Sequence, residues 1–129
     1  MAKILYIEDE PDIAELVRRW LEEDDQHRVL QAADGLGGLA LTKSECPDLI
    51  LLDLNLGQFS IDGWEVNRRL KADPLTKAIP VIALTAHAQR VEHRERALAE
   101  GFVQHISKPF DYETLIHQVR AYTLKDGET

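Results

Sequence analysis

The sequence predicts an α/β protein in which helices cover both faces of a five-stranded parallel sheet, the doubly wound arrangement. Five short apolar segments alternate with stretches of helical periodicity along the 129-residue chain. Repeated strand–helix alternation is typical of parallel strands joined by right-handed crossovers. The central segments are apolar at nearly every position, as strands covered on both faces should be. No internal repeat or linker interrupts the pattern, so we expect one domain.

The apolar segments provide the predicted strands. They cover residues 3–7, 28–31, 49–52, 80–84 and 102–106. Segments of this length fit strands, because helices usually need about ten or more residues.

Two of the predicted helices have clear amphipathic periodicity. The first covers residues 12–23 and follows Pro11, which suits a first helical turn. Its apolar residues recur at helical spacing, at Ile13, Leu16, Val17, Trp20 and Leu21. The last covers residues 112–124, with one apolar face formed by Leu115, Val119 and Tyr122. These faces should pack against the sheet.

Two other helices are less strongly specified. The helix over residues 36–44 contains Gly37 and Gly38, and an interior glycine costs up to about 1 kcal/mol relative to alanine. The helix over residues 90–100 has few apolar residues among many charges. It can bury little surface, so we expect it to be held loosely.

Composition excludes several classes of function. The net charge of −8 and the pI of about 5.0 disfavour binding to nucleic acids and to anionic membranes. No apolar run approaches the roughly 18–20 residues of a membrane span, and an acid as early as Glu8 leaves no room for a signal peptide. A single cysteine, Cys46, rules out an intramolecular disulfide. We therefore expect a cytoplasmic protein.

Polar residues follow four of the predicted strands. Glu8 and Asp9 follow the first, Asp53 the third, Thr85 the fourth, and Lys108 comes shortly after the fifth. Ligands of open α/β sheets bind beyond the carboxyl ends of the strands, where the strand order reverses. The sequence therefore predicts a site at this edge of the sheet.

The predicted site is rich in carboxylates and needs positive charge. At an effective dielectric near ~20, two carboxylates about 4 Å apart repel by on the order of 4 kcal/mol. Lys108 can offset part of this repulsion, and a divalent cation would offset more. Oxygen ligands favour Mg²⁺ over zinc, with phosphate as a common co-ligand. Asp53 is then either a metal ligand or a nucleophile that forms an acyl phosphate.

These residues resemble the receiver domain of two-component response regulators. The matching positions are Glu8-Asp9, residues 47–53, Asp62-Gly63, Thr85-Ala86 and residues 107–110. The likeness is to the single-domain type, similar to chemotaxis and cell-division response regulators. It implies a flavodoxin-like sheet in the order 2-1-3-4-5, over residues 1–124 with a short polar tail at 125–129.

The resemblance also assigns roles. It implies that Asp53 is the phosphoacceptor, and that Asp9, Asp53 and the backbone carbonyl of Asn55 hold Mg²⁺. Glu8 would act in the acid pair through a metal-bound water, while Thr85 and Lys108 would bind the phosphoryl group. The Lys108–Pro109 peptide bond is expected to be cis.

Two positions depart from the family pattern. His105 stands where the family usually has a switching tyrosine or phenylalanine, so it is either a structural histidine or a switch partner of Thr85. The loop over residues 57–61 is about two residues longer than usual, with Gly57 in place of a common proline. It is either a tolerated insertion or a segment in which Phe59 or Ile61 shields the acyl phosphate or contacts a partner.

By this resemblance the protein is a signalling switch. Its partners would be a histidine kinase or histidine phosphotransfer protein and a downstream protein. The downstream protein would bind the face of helix 4 (residues 90–100), strand 5 (102–106) and helix 5 (112–124). No nucleic acid or membrane is expected as a partner. The starting methionine and the polar tail favour an independent chain, monomeric or weakly dimeric. Two alternatives are an aspartate-nucleophile phosphatase and a degenerate receiver that only binds partners. The phosphatase would need a second catalytic acid two residues after Asp53, where this chain has Asn55.

Overall fold

The computed structural model describes residues 2–24, 26–56, 61–86 and 90–123. The strands are β1 (Lys3–Ile7), β2 (Arg28–Ala32), β3 (Leu49–Asp53), β4 (Val81–Thr85) and β5 (Gln104–Ser107). The helices are α1 (Pro11–Arg19), α2 (Gly35–Glu45), α3 (Gly63–Ala72), α4 (Val91–Ala99) and α5 (Tyr112–Thr123). A π-helical turn, Trp20–Asp24, continues α1.

The sheet confirms the predicted architecture. Its five strands lie in the order β2-β1-β3-β4-β5, and every neighbouring pair is parallel. The order reverses between β1 and β3. The carboxyl ends of these two strands therefore lie side by side, which brings the residues after Ile7 close to Asp53.

Helices cover both faces of the sheet. Alternate residues of the central strands, such as Tyr6 and Leu51, pack with α1 and α5 in one apolar cluster. The intervening residues, such as Ile7 and Leu52, form a second cluster on the other face with α3 and one residue of α4. Because both faces are covered, every residue of β3 and β4 is buried.

Several strand boundaries differ from the sequence-based expectation by one or two residues. β2 extends to Ala32, β3 ends at Asp53, and β4 covers residues 81–85 rather than 80–84. Asp53 still pairs with Leu84, and Thr85 with Ser107. β5 covers residues 104–107 rather than 102–106. The amide of Phe102 donates to the carbonyl of Ala97 at the end of α4 and so belongs to the helix terminus.

One of the two glycines predicted to weaken α2, Gly38, has a packing role. A β-carbon on Gly38 would lie 2.4 Å from Cδ1 of Ile7. The missing side chain lets α2 approach β1 closely, which compensates for the low helix propensity of glycine.

Helix α4 is weakly packed, as its composition predicts. Ala97 is the buried residue of this helix, while Val91 and Leu98 are 55% and 66% exposed. None of the helices in the described ranges is long and apolar enough to cross a membrane.

Gly63 provides the first test of the fold. An added β-carbon would lie 2.5 Å from the carbonyl oxygen of Asp53 and 2.6 Å from Cα of Leu54. Since both atoms belong to the backbone, we expect Gly63→Ala to lower the free energy of unfolding by about 2–3 kcal/mol. Urea denaturation measures this change.

Gly37→Ala is the matched control. The nearest atoms to a β-carbon there would be Oδ1 of Asp34, at 3.0 Å, and the side chain of Ala32, at 3.9 Å, with no backbone atom among them. Asp34 is the N-cap of α2 and accepts from the Gly37 N–H. The control should therefore stay within about 1 kcal/mol of the parent, helped by the higher helix propensity of alanine. Equal effects of the two substitutions would contradict the close packing of Gly63 on β3.

Candidate functional site

Three carboxylates meet at the carboxyl edge of the sheet. One carboxylate oxygen from each of Glu8, Asp9 and Asp53 lies within 4.8 Å of the other two. Glu8 and Asp53 are 3% and 2% exposed, whereas Asp9 faces solvent. The structure thus brings together the acids that the sequence predicted to converge.

Lys108 bridges the two buried acids. Its ammonium nitrogen lies 2.9 Å from Oε1 of Glu8 and 3.1 Å from Oδ2 of Asp53. The Lys108 backbone N–H donates to the carbonyl of Thr85 at 2.8 Å, which ties the segment after β5 to the end of β4. The Lys108–Pro109 peptide bond is cis, as expected.

The Lys108 ammonium is stabilised in its charged form. Burial, the largest single influence, lowers the pKa of Lys108, but the hydrogen bond to Glu8 and the charges of Asp53 and Glu8 together raise it above the ordinary value of 10.5. Lys108 therefore supplies a permanent positive charge beside Asp53.

Glu8 is also contacted from the core side by Tyr6, a residue that the sequence analysis did not identify. Tyr6 is fully buried in β1, and its hydroxyl donates to Oε1 of Glu8 at 3.0 Å. This burial and the Glu8 carboxylate raise the pKa of Tyr6 above its usual range. In the sequence, Tyr6 is indistinguishable from an ordinary core residue of an apolar strand. Only its spacing of two residues from Glu8, which places both side chains on the same face, could have indicated the contact.

Glu8 itself is poised to change its charge. Burial, together with the adjoining Asp53 carboxylate, raises the pKa of Glu8 to about 7, although Lys108 opposes the shift. One ammonium therefore does not fully compensate the two buried carboxylates.

Both carboxylate oxygens of Asp53 have polar neighbours. Oδ2 faces Lys108, and Oδ1 accepts a hydrogen bond from the backbone N–H of Asn55 at 2.9 Å. Asn55 is exposed at the mouth of the site. The Asp53 side chain is thus held in place at the carboxyl end of β3.

Thr85 contacts a residue that the sequence did not single out. Its side chain is fully buried, and Oγ1 lies 3.1 Å from Nε2 of His93 in α4. The His93 ring packs edge-on against Trp64, with the ring centroids 5.3 Å apart. His93 was hidden in the sequence because it sits in a charged, apolar-poor helix without ligand spacing.

His105 pairs with Ala83 in the sheet and is half-buried. Its burial, with a smaller effect from the charge of Arg94, lowers the pKa of His105 below 6.5. The ring is therefore neutral at neutral pH. Its assignment as a switch residue stays a prediction.

Part of the predicted loop lies outside the described residues. Gly57, Phe59 and His87 fall in the undescribed ranges. Ile61 is described, and it packs with the apolar cluster beneath α3, close to Gly35 of α2. The hypothesis that Phe59 or Ile61 shields the acyl phosphate or contacts a partner stays a prediction.

The acid cluster fits a hard divalent cation. All its ligand atoms are carboxylate oxygens, which suit Mg²⁺ better than zinc. Because one oxygen of each acid lies within 4.8 Å of the other two, these oxygens are close enough together to share one such cation. Mg²⁺ usually completes its ligand set with water.

The family of the chain follows from direct comparison. The family model described as the response regulator receiver domain matches residues 4–120. The chain belongs to this family. This receiver therefore has the predicted fold and signalling class, with Asp53, Thr85 and Lys108 lying within the matched range.

Relatives of different length share the receiver sequence. The DNA-binding transcriptional regulator RpaA of Synechocystis is 41% identical over 94% of this chain, which spans 48% of RpaA. PilH of Pseudomonas aeruginosa is 34% identical over 94% of this chain and 97% of its own length. The Brucella ovis polar-differentiation regulator DivK is 34% identical over 95% of this chain and 97% of its own.

Solved structures agree with this assignment. The chemotaxis regulator CheY4 of Vibrio cholerae matches with a TM-score of 0.86 and 29% identity, over 95% of this receiver and 98% of CheY4. The receiver domain of the Pseudomonas aeruginosa sensor kinase PA1611 matches with a TM-score of 0.82 and 29% identity, over 94% and 96% of the two chains. That structure has magnesium coordinated in its active-site cleft.

The Tyr6 hydroxyl should stabilise the acid cluster measurably. Tyr6→Phe removes the hydrogen bond to Glu8, and at pH 8 we expect it to lower the free energy of unfolding by about 1.5–3 kcal/mol, the range for bonds to charged groups. Tyr122→Phe is the control, since that hydroxyl donates to the Val103 carbonyl at an exposed position. It should cost less than about 1 kcal/mol. Similar urea-denaturation values for both variants would contradict the role of Tyr6.

His105 should titrate below the ordinary histidine value. An NMR titration of its imidazole protons, assigned with His105→Gln, should give a midpoint below 6.5, because burial and Arg94 disfavour the charged ring. The unfolded chain then binds the proton more readily than the folded one. Stability from His105 is accordingly present above pH 6.5 and decreases as the pH falls below it. A midpoint above 6.5 would show that the ring is stabilised in its charged form.

Proposed function

We propose that this receiver is a phosphorylation-controlled protein switch whose phosphoacceptor is Asp53. The supporting observation is the contact of Lys108 with buried Asp53 at 3.1 Å beside the Glu8–Asp9 acid pair. A buried carboxylate held by an ammonium and surrounded by further acids is a costly arrangement. It is explained if Asp53 must react with an anionic phosphoryl group.

In the proposed reaction, Asp53 takes a phosphoryl group from a phosphohistidine on a histidine kinase or histidine phosphotransfer protein. A carboxylate oxygen of Asp53 forms a bond to phosphorus while the phosphorus–nitrogen bond to the donor breaks. The nitrogen keeps the bonding electron pair, and the imidazole takes up a proton from solvent. Hydrolysis of the resulting acyl phosphate by water returns the Asp53 carboxylate and releases phosphate.

The residues around Asp53 match the demands of this reaction. Phosphoryl transfer requires positioning and neutralisation of charge on the phosphoryl oxygens. The Asn55 N–H donates to one oxygen of Asp53 and so holds the carboxylate in place. The Lys108 ammonium, now beside Asp53, could pair with the negative charge of the phosphoryl group after transfer. Thr85 lies at the adjoining strand end and offers a hydroxyl.

We propose Mg²⁺ as the cofactor. Asp9, Asp53 and the Asn55 carbonyl would hold it, with Glu8 acting through a bound water. When bound, it supplies positive charge that reduces repulsion between the acids and the incoming phosphoryl group. Tyr6 and Lys108 both contact Oε1 of Glu8. Oε2 accepts only a long hydrogen bond from the Glu10 N–H, at 3.4 Å, among the described contacts, so a carboxylate oxygen with two acceptor sites could also bind that water.

The output would be contact with a downstream protein in the cytoplasm, through the face of α4, β5 and α5. Val91, Leu98 and Val103 are exposed apolar residues on α4 and beside β5. Single exposed apolar residues are common, but a partner would bury these without disturbing the core. We propose a monomer or weak homodimer that needs no nucleic acid or membrane.

Phosphorylation of Asp53 tests the proposal. Incubation with Mg²⁺ and acetyl phosphate should add one phosphoryl group, detected by mass, that is labile to base and absent in Asp53→Asn. An adduct that persists in Asp53→Asn would contradict the assignment. Steady turnover of small phosphoesters would instead support an aspartate-nucleophile phosphatase, and no adduct at all would indicate a degenerate receiver.

Thermal melting tests the cation separately. Mg²⁺ at ten times its dissociation constant should raise the free energy of unfolding by about 1.4 kcal/mol. Asp9→Asn should weaken this effect strongly, whereas Asp12→Asn, in the exposed first turn of α1, should retain it. If Mg²⁺ stabilised both variants equally, its binding site would not include Asp9.

A further inference from the structure

Helix α4 is attached to the domain largely by polar and aromatic contacts. Besides buried Ala97, its described contacts include the Arg96 guanidinium, which lies 3.9 Å from the centre of the Trp64 ring. Just after the helix, the carbonyl of Glu100 accepts from the side-chain amide of Asn67 at 2.6 Å. Such contacts can be exchanged at little cost, because few apolar groups are exposed when they break.

One of these contacts reaches the functional site. Nε2 of His93 lies 3.1 Å from the buried hydroxyl of Thr85, and the same ring packs against Trp64. Trp64 in turn follows Gly63, which lies directly against the backbone of Asp53. His93 thus connects α4 with the strand end that carries Thr85.

We propose that His93 is a positioning residue that holds the Thr85 hydroxyl on α4 until Asp53 is phosphorylated. This inference rests on the proposed function of Asp53. It assigns Nε2 of His93 as the acceptor and Thr85 as the donor.

The proposal follows from the hydrogen-bonding capacity of a hydroxyl group. Threonine has a single O–H hydrogen, while phosphoryl oxygens act as acceptors. Thr85 therefore cannot donate to His93 and to a phosphoryl group at the same time. Binding of the phosphoryl group by Thr85 would break the bond to His93 and release one of the described contacts of α4.

The coupling must act in both directions. If phosphorylation weakens the bond between Thr85 and His93, removal of that bond must favour binding of a phosphoryl group by the same factor. A neutral hydrogen bond supports a change of about fivefold in an equilibrium constant.

The test uses beryllium fluoride, a tetrahedral mimic of a phosphoryl group, with Mg²⁺. Trp20→Phe serves as the parent, so that Trp64 alone reports by fluorescence. In this parent, binding should change the Trp64 emission. His93→Phe, which keeps an aromatic ring beside Trp64 but has no acceptor, should bind beryllium fluoride about fivefold more tightly and show a smaller emission change.

Two controls separate the possible failures. Glu95→Gln, an exposed change on the same helix, should leave the affinity unchanged. Asp53→Asn should abolish binding; if it binds as well as the parent, the proposed function of Asp53 fails. If binding depends on Asp53 but His93→Phe leaves the affinity unchanged, the role of His93 is wrong. Weaker binding by His93→Phe would also contradict the proposal. It would indicate that His93 donates to Thr85 and orients its hydroxyl for the phosphoryl group.

Discussion

The ion pairs of Lys108 with Glu8 and Asp53 are the interaction on which the site depends. Two carboxylates that are nearly fully buried face one ammonium, at 2.9 and 3.1 Å. Removing the ammonium would leave two like charges in a poorly solvated place, which is strongly unfavourable. Even with Lys108 present the charge is not balanced, since burial and Asp53 raise the pKa of Glu8 to about 7. The site therefore retains affinity for a proton or a cation.

This requirement also explains features of the surrounding fold. The two acids can meet only because β1 and β3 are neighbours whose carboxyl ends lie at one edge. The hydrogen bond from the Lys108 N–H to Thr85 brings the lysine to the same edge. The hydroxyl of Tyr6 reaches the acids from within the apolar core. The core is thus adapted to hold charge at one end of the sheet.

The sequence predicts the strand-end residues but not their supports. Glu8, Asp53, Thr85 and Lys108 were identifiable because each comes at or soon after an apolar strand, and a parallel sheet brings such ends together. Tyr6 and His93 were missed because their roles depend on three-dimensional contacts. Their types and spacing fit equally well an ordinary core tyrosine and an exposed helix histidine. Boundaries such as the start of β5 depended on backbone pairing that apolar patterning does not specify.

The difference in packing between α4 and α5 determines which helix a small change at the sheet edge could displace. In α5, Leu115, Ile116 and Val119 are buried, and burial of each such side chain stabilises the fold by about 1.5–3 kcal/mol. A rearranged hydrogen bond at Thr85 changes the energy by only about 1 kcal/mol, so it cannot displace α5. In α4, where Ala97 is the buried residue, the same energy is a larger share of what holds the helix. If Asp53 is phosphorylated as proposed, α4 is therefore the helix that a change at Thr85 could displace.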